Sequence, residues 1–68
     1  MIEKRKVSDL KPCMKIRFRG HYFTTGASMK NGTIIYNDSN GKLALISNNE
    51  EVDVLIHGTW YEAEKKEA

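Results

Sequence analysis

Pairs of turn-forming residues recur along this chain and leave only short segments between them. Asn31-Gly32 and Asn40-Gly41 each join the two residue types that best tolerate a positive φ angle, and both lie between apolar runs. Arg19-Gly20 and His57-Gly58 look like two further tight turns. Because turn signals at intervals of about 8–12 residues are typical of all-β domains, this spacing predicts antiparallel hairpins rather than helices.

The segments between these turns define the predicted strands. We predict strands at residues 14–19, 21–28, 33–37 and 42–47, and a hairpin of two strands at 52–62. A short lead strand at 7–10 is disfavoured, because Pro12 cannot donate a ladder hydrogen bond and residues 10–13 read as a turn. The two halves of the predicted 52–62 hairpin meet at His57-Gly58.

The 68 residues leave room for a single domain. A chain this short buries only about 60% of its unfolded surface on folding. We expect a basic N-terminal arm at 1–6, one folded domain at 7–62 and a charged tail at 63–68. The tail contains helix formers but is too short to hold a helix without packing, so we expect it to fray.

Two stretches of the chain share one pattern. Residues 16–23 align with residues 54–61, and both read apolar-x-apolar-x-Gly-x-aromatic-aromatic. Two such hairpins could pack their inner faces together, with strands 33–37 and 42–47 completing a closed or nearly closed sheet. We therefore predict an all-β fold, a small SH3-like barrel of about 5–6 antiparallel strands.

Two parts of the chain resemble known domains. Leu10, Cys13 and Ile16, followed by the turn at Gly20, are similar to a Leu-x-x-Gly-x-x-Ile pattern that opens the N-terminal SH3-like (KOW-type) domain of bacterial elongation factor P, with Cys13 in place of the glycine. Residues 32–61 resemble small uncharacterised domains of Gram-positive bacteria and their mobile elements. The resemblance implies a fold and a bacterial or phage setting, and it carries over no functional residue.

Charge is distributed unevenly along the chain. Residues 1–25 hold seven Lys or Arg against two acids, whereas residues 48–68 hold six acids against two lysines. This bipolarity suits either a basic contact surface or head-to-tail self-association. The alternative is that the two segments pair with each other inside one fold.

A candidate nucleic-acid surface follows from the first hairpin. If Arg19-Gly20 forms a two-residue turn, Ile16, Phe18 and Phe23 face the core and the intervening side chains face outward. Alternate residues on a strand lie about 6.6 Å apart, which suits contacts to successive phosphates, and a tyrosine offers a base a stacking surface. The candidate residues are Lys15, Arg17, Arg19 and Tyr22, assisted by the arm residues Lys4, Arg5 and Lys6.

A candidate protein interface follows from the second hairpin. The same register would leave Leu55 and Trp60 on an outer face with acidic neighbours, and with Tyr61 they would suit a protein partner or a second copy of the chain. Burial of Trp60 in the core is the alternative. A three-residue turn would shift the register by one and exchange both faces.

Other chemistries find little support in the residues. Cys13 is the only cysteine, and with His21 and His57 it lacks the spacing of zinc ligands, so we expect neither a disulfide nor a metal site. The first residues lack the apolar run of a secretion signal, and the longest apolar run is far too short to cross a bilayer, which favours a cytoplasmic protein.

These observations lead to one expected function and one alternative. We expect a non-catalytic binding module that acts as a protein-interaction adaptor or modulates a larger cellular machine, self-association included, with no cofactor and no small-molecule substrate. The alternative is a module that binds RNA or single-stranded nucleic acid through the basic and aromatic hairpin face, with strong salt dependence.

Overall fold

The computed structural model describes residues 1–67 and shows six strands and one helix. The elements are β1 (Ile2–Lys6), β2 (Lys15–Phe18), β3 (His21–Met29), β4 (Gly32–Asn37), β5 (Leu43–Ser47), β6 (Glu51–Leu55) and α1 (Trp60–Glu67), with a 3₁₀ turn at Val7–Asp9. The strands form one antiparallel sheet in the order β1-β6-β2-β3-β4-β5. The all-β prediction is confirmed, but the sheet is not closed, because β1 and β5 remain its two edges.

The β2–β3 hairpin has the predicted register. Arg19 and Gly20 adopt positive φ angles of 51° and 78°, so that Phe18 pairs with His21 and Arg17 with Tyr22. Two consecutive positive φ angles are typical of the two-residue turn that matches the twist of an antiparallel hairpin. The alternative three-residue turn, with its exchanged faces, is therefore wrong.

The core lies on the concave side of the sheet. Its buried apolar side chains come from the 3₁₀ turn, from the residue that follows it and from four strands: Val7, Leu10, Ile16, Ile35, Ile46, Val52 and Val54. Phe18 and Phe23 pack against this cluster, as predicted for the inner face of the first hairpin. Because strand side chains alternate between faces, the intervening residues of each strand lie on the convex side.

The turn before β2 is fastened to β3 by Thr25. The buried Thr25 hydroxyl accepts a hydrogen bond from the Met14 amide at 2.8 Å and donates one to the Lys11 carbonyl at 2.6 Å. Cys13 occupies this turn with a φ of 66°, in the left-handed region that favours glycine. Residues 10–13 therefore form the predicted turn, and residues 7–9 form a 3₁₀ turn instead of a lead strand.

The predicted hairpin at 52–62 is wrong. Strand β6 ends at Leu55, and after Gly58 (φ 81°) the chain enters α1 instead of returning as a strand. Residues 54–61 therefore do not repeat the 16–23 hairpin. The tail prediction is corrected as well, since Ala63 is buried and residues 63–67 are helical. The last predicted tail residue, 68, lies outside the described residues.

Residues 2–6 form a strand and not a free arm. Strand β1 pairs along its whole length with β6, with Lys4 opposite Asp53 and Lys6 opposite Glu51. Basic side chains on one strand thus face acidic side chains on the next, an arrangement that favours cross-strand pairing. The basic and acidic segments of the chain pair within one fold, as the alternative interpretation of the charge pattern proposed.

Candidate functional site

Helix α1 covers the convex face that was expected to bind nucleic acid. Its first turn is capped by Thr59, whose hydroxyl accepts a hydrogen bond from the Glu62 amide at 3.2 Å while its carbonyl accepts one from the Ala63 amide. The cap directs the helix back over β2 and β3, where Trp60 and Glu64 contact side chains of the sheet. The convex face at this end of the sheet is therefore occupied by the chain itself.

Arg17 is the centre of the contacts between α1 and the sheet. Its guanidinium donates to the carboxylates of Glu64 at 2.7 Å, Glu67 at 3.0 Å and Asp53 at 3.0 Å, and it lies 5.5 Å from the centre of the Trp60 ring. Only 20% of the Arg17 side chain is exposed. One cation thus neutralises an acid on β6 and two acids on α1, which makes it the main electrostatic link between helix and sheet.

Tyr22 and Trp60 form the aromatic part of the same contact. Their ring centres lie 5.3 Å apart, and the Tyr22 hydroxyl donates a hydrogen bond to the Glu64 carboxylate at 2.6 Å. The Trp60 indole Nε1 is buried and has no hydrogen-bond partner among residues 1–67. We define the α1 cluster as Arg17, Tyr22, Asp53, Trp60, Glu64 and Glu67.

The pKa shifts in the α1 cluster follow from these hydrogen bonds. The bond from Tyr22, followed by that from Arg17, lowers the pKa of Glu64 below its ordinary value. The same bond to Glu64, with a smaller contribution from burial, raises the pKa of Tyr22. Hydrogen bonds to Glu67 and Glu64 raise the pKa of Arg17. All three groups are therefore held in the protonation states that bind one another.

These shifts predict a pH window for the docking of α1. A carboxylate with a lowered native pKa stabilises the fold above about pH 4.3, and this contribution is lost as pH falls through the native value. A phenol with a raised native pKa stabilises the fold below about pH 10, and this contribution is lost as pH rises through the native value. The emission of Trp60, the only tryptophan, should report both losses.

Two variants identify the groups responsible. Glu64→Gln should reduce the acid transition in Trp60 emission by the part that comes from Glu64. Tyr22→Phe should remove the alkaline transition in Trp60 emission. Each variant lacks the group that titrates. A Glu64→Gln protein whose acid transition in Trp60 emission coincides with that of the wild type would contradict the assignment.

The structure separates the predicted nucleic-acid residues. Arg17 and Tyr22 point away from the core as predicted, but they lie under α1 rather than in solvent. Lys15 contacts Thr24 and Asp38, and Arg19 lies at the hairpin tip with its guanidinium 4.9 Å from the Phe18 ring centre. Among the arm residues Lys4 lies 3.8 Å from Asp53 and Arg5 lies 3.5 Å from Glu3, while Lys6 stands opposite Glu51.

The predicted protein-interface residues are also dispersed. Leu55 is half-buried opposite Ile2 at the β1 edge, and Trp60 is half-buried against Tyr22. Tyr61 is 76% exposed on α1, and the Lys65 ammonium lies 5.9 Å from the centre of its ring. Trp60 was predicted either to lie exposed on an outer face or to be buried in the core. Neither prediction describes it, because it packs between α1 and the convex side of the sheet.

An exposed apolar surface lies at the other end of the sheet, on the convex side of β4 and β5. We call it the apolar strip and define it by its side chains: Met29, Ile34, Tyr36, Leu43 and Leu45. Leu43 and Leu45 are 62% and 60% exposed, and they stand opposite Tyr36 and Ile34 on β4. The Tyr36 ring lies next to Gly26 of β3, where an added β-carbon would lie 2.6 Å from a ring carbon.

The apolar strip was not predicted from the sequence. The run Leu43-Ala44-Leu45-Ile46 has no polar alternation, so no face could be assigned to solvent from its sequence. The register with β4 provides the missing information: Ile46 pairs with the buried Thr33, which forces Leu43 and Leu45 to the convex side.

The concave side opens as a shallow groove near the β2–β3 turn. Its volume is about 460 Å³, and its apolar wall is formed by Phe18, Phe23, Ile35, Ala44 and Ile46. Arg19, His21 and Glu50 line the same groove, with Arg19 3.4 Å from Glu50. The groove exists because β5 is an edge and does not close against another strand.

Two further observations concern membranes and metals. Over residues 1–67 there is no helix with the length and apolar character needed to span a bilayer. Within the same part of the chain, no three His, Cys, Asp or Glu side chains come together in a group that could hold a metal ion.

Comparisons of the chain with family models, with curated proteins and with solved structures find no match.

Proposed function

We propose that this chain is a small non-catalytic protein-binding module that uses the apolar strip. The exposure of Leu43 and Leu45 beside Tyr36 and Ile34 carries the proposal, because contiguous exposed apolar side chains on a small protein mark an interaction surface. Aromatic and aliphatic anchors of this kind supply most of the energy at protein interfaces. We propose further that the open, curled sheet belongs to the SH3-like class that its first hairpin resembles.

The chemistry of the partner follows from the surroundings of the apolar strip. Lys30 lies beside Met29 and Leu45, and Lys42 immediately precedes β5. Neither lysine forms an ion pair with another residue in the described range 1–67. A segment with apolar side chains and flanking acidic residues therefore complements the surface.

The α1 cluster argues against nucleic-acid recognition through Arg17 and Tyr22. Arg17 and Tyr22 donate to Glu64, and Arg17 also pairs with Glu67 and Asp53. A phosphate would have to displace carboxylates that belong to the same chain. We therefore expect a labelled single-stranded oligonucleotide to bind the wild type no more tightly than it binds Arg17→Ala, even at low salt.

A peptide selection tests the proposed function. Peptides enriched from a random library on the immobilised wild-type chain should bind it with micromolar affinity in solution. Tyr36→Lys should weaken their binding at least about tenfold, because it places a charge beside Leu43 within the apolar strip. Tyr61→Lys is the matched control, since it makes the same exchange at an exposed tyrosine on α1.

Peptides that bind Tyr36→Lys and the wild type equally would exclude the apolar strip as the binding surface. So would peptides that lose affinity for Tyr61→Lys alone. Changes in the chemical shifts of the β4 and β5 amides on peptide binding show independently whether each peptide contacts these strands.

A further inference from the structure

The free edge of β5 has the features of a pairing surface. The Asn37 amide donates to the Lys42 carbonyl at 2.9 Å, and Ile35 and Thr33 stand opposite Ala44 and Ile46. Since backbone groups alternate in direction along an antiparallel strand, the Lys42 carbonyl and the backbone groups of Ala44 and Ile46 are used by β4. The Lys42 amide donates to the side-chain oxygen of Asn40 at 2.9 Å. The backbone groups of Leu43, Leu45 and Ser47 point toward the open edge.

Strand β5 lacks the devices that normally protect a sheet edge. Residues 43–47 read Leu-Ala-Leu-Ile-Ser, without proline or charge, and the ladder with β4 runs through the whole strand without a bulge. Exposed edges of this kind pair readily with another strand. The opposite edge differs, because β1 carries Glu3, Lys4, Arg5 and Lys6.

We propose that the β5 edge binds a second copy of this chain by antiparallel pairing of β5 with its symmetry mate. In the register centred on Leu45, that residue stands opposite itself and Leu43 stands opposite Ser47 of the second copy. This register gives partners to the edge-facing backbone groups of all three residues. The Ser47 carbonyl also accepts the Glu50 amide at 3.1 Å within its own turn, and its second lone pair serves the new bond.

Charge favours the same arrangement. Lys42 precedes β5, and Glu50 and Glu51 follow it after a short turn. Antiparallel pairing brings the basic start of one strand toward the acidic end of the other, twice in a two-fold dimer. Parallel pairing would instead bring like charges together. An unrelated peptide gains this match only if it carries the same charges, which is why we assign the edge to a second copy.

The interface is small, so the dimer is weak. Stable dimers bury about 1,600 Å² in total, and one pair of five-residue strands contributes much less. We expect a Kd of about 100 µM, detectable by sedimentation between about 10 µM and about 1 mM. The dimer would also join two apolar strips side by side on one continuous convex face.

Charge exchange at Leu45 tests the proposal. Leu45→Lys and Leu45→Glu should each remain monomeric, because residue 45 then faces a like charge on the two-fold axis. An equimolar mixture of the two variants should restore the dimer. The same exchange at Tyr61 is the control and should leave dimerisation of each single variant at the wild-type level. Circular dichroism confirms the fold of each variant, and Leu45 is exposed enough to tolerate the change.

Amide exchange on the wild-type chain gives a second measurement that needs no variant. Raising the protein concentration should slow exchange at Leu43, Leu45 and Ser47, and should leave Ala44 and Ile46 unchanged because β4 already protects them. A wild-type chain that stays monomeric, or a dimer with protection at other amides, overturns the proposal. If the wild-type chain is monomeric, Tyr36→Lys should still weaken peptide binding. Failure of the dimer proposal is therefore distinct from failure of the proposed function.

Discussion

Arg17→Ala is expected to lower the free energy of unfolding by about 2 kcal/mol. The change removes the cation shared by Asp53, Glu64 and Glu67 and leaves three carboxylates close together. It also removes the guanidinium that lies against the Trp60 ring. An exposed ion pair is worth no more than about 1 kcal/mol, so the larger value rests on the 20% exposure of Arg17 and its several partners. Urea unfolding followed by Trp60 emission measures the change.

Arg19→Ala is the matched control for this experiment. Arg19 is 76% exposed and lies 3.4 Å from Glu50, so its loss should change stability by less than about 0.5 kcal/mol. Arg17→Lys keeps the charge but loses the planar fork that serves several carboxylates, and it should fall between the two. Equal unfolding midpoints for Arg17→Ala and Arg19→Ala would show that Arg17 does not hold α1 to the sheet.

Gly32→Ala is expected to lower the free energy of unfolding by about 3 kcal/mol. A β-carbon at Gly32 would collide with the Ile46 carbonyl oxygen and would lie 3.4 Å from Leu45 Cδ1. Since the obstacle is backbone of the neighbouring strand, β4 and β5 would have to separate locally. Thermal unfolding by circular dichroism measures the loss, and chemical shifts of the β5 amides report the separation.

Gly26→Ala provides the comparison, because its new β-carbon would meet a side chain. The Tyr36 ring lies 2.6 Å from that position, but Tyr36 is 43% exposed and can rotate away. The cost should be about 1 kcal/mol. If Gly26→Ala destabilises the protein as much as Gly32→Ala, backbone proximity does not explain the requirement for glycine at position 32.

Local signals explain what could be predicted from the sequence. Arg19-Gly20 determined the turn, the register and the faces of the β2–β3 hairpin, because a two-residue turn allows one pairing only. Cys13 is a contrasting case: its φ of 66° lies in the left-handed region that favours glycine, which its residue type does not indicate. Gly32 was predicted to lie in a turn with a positive φ, and this is wrong: it is the first residue of β4, its φ is not positive, and it is needed for close packing against Ile46.

The parts that were missed depend on contacts between distant segments. Strand β1 has no alternation of polar and apolar residues, and it is defined by its pairing with β6, which places acids opposite Lys4 and Lys6. Helix α1 did have a local signal, the capping pattern Thr59-x-x-Glu62, which the aromatic pair Trp60-Tyr61 obscured by resembling a strand. The docking of α1 on Arg17 could not be predicted, because residues 60–67 were not predicted to form a helix.

The pairing of Ile2 with Leu55 has a consequence for synthesis on the ribosome. Strands β2 to β5 follow one another along the chain and pair as neighbours, so they can assemble soon after they emerge. Strand β1 is made before the other strands but must wait for residues 51–55, and its pairing closes a long loop at an entropic cost. The strand that is translated before the other five is therefore among the last to acquire its partner.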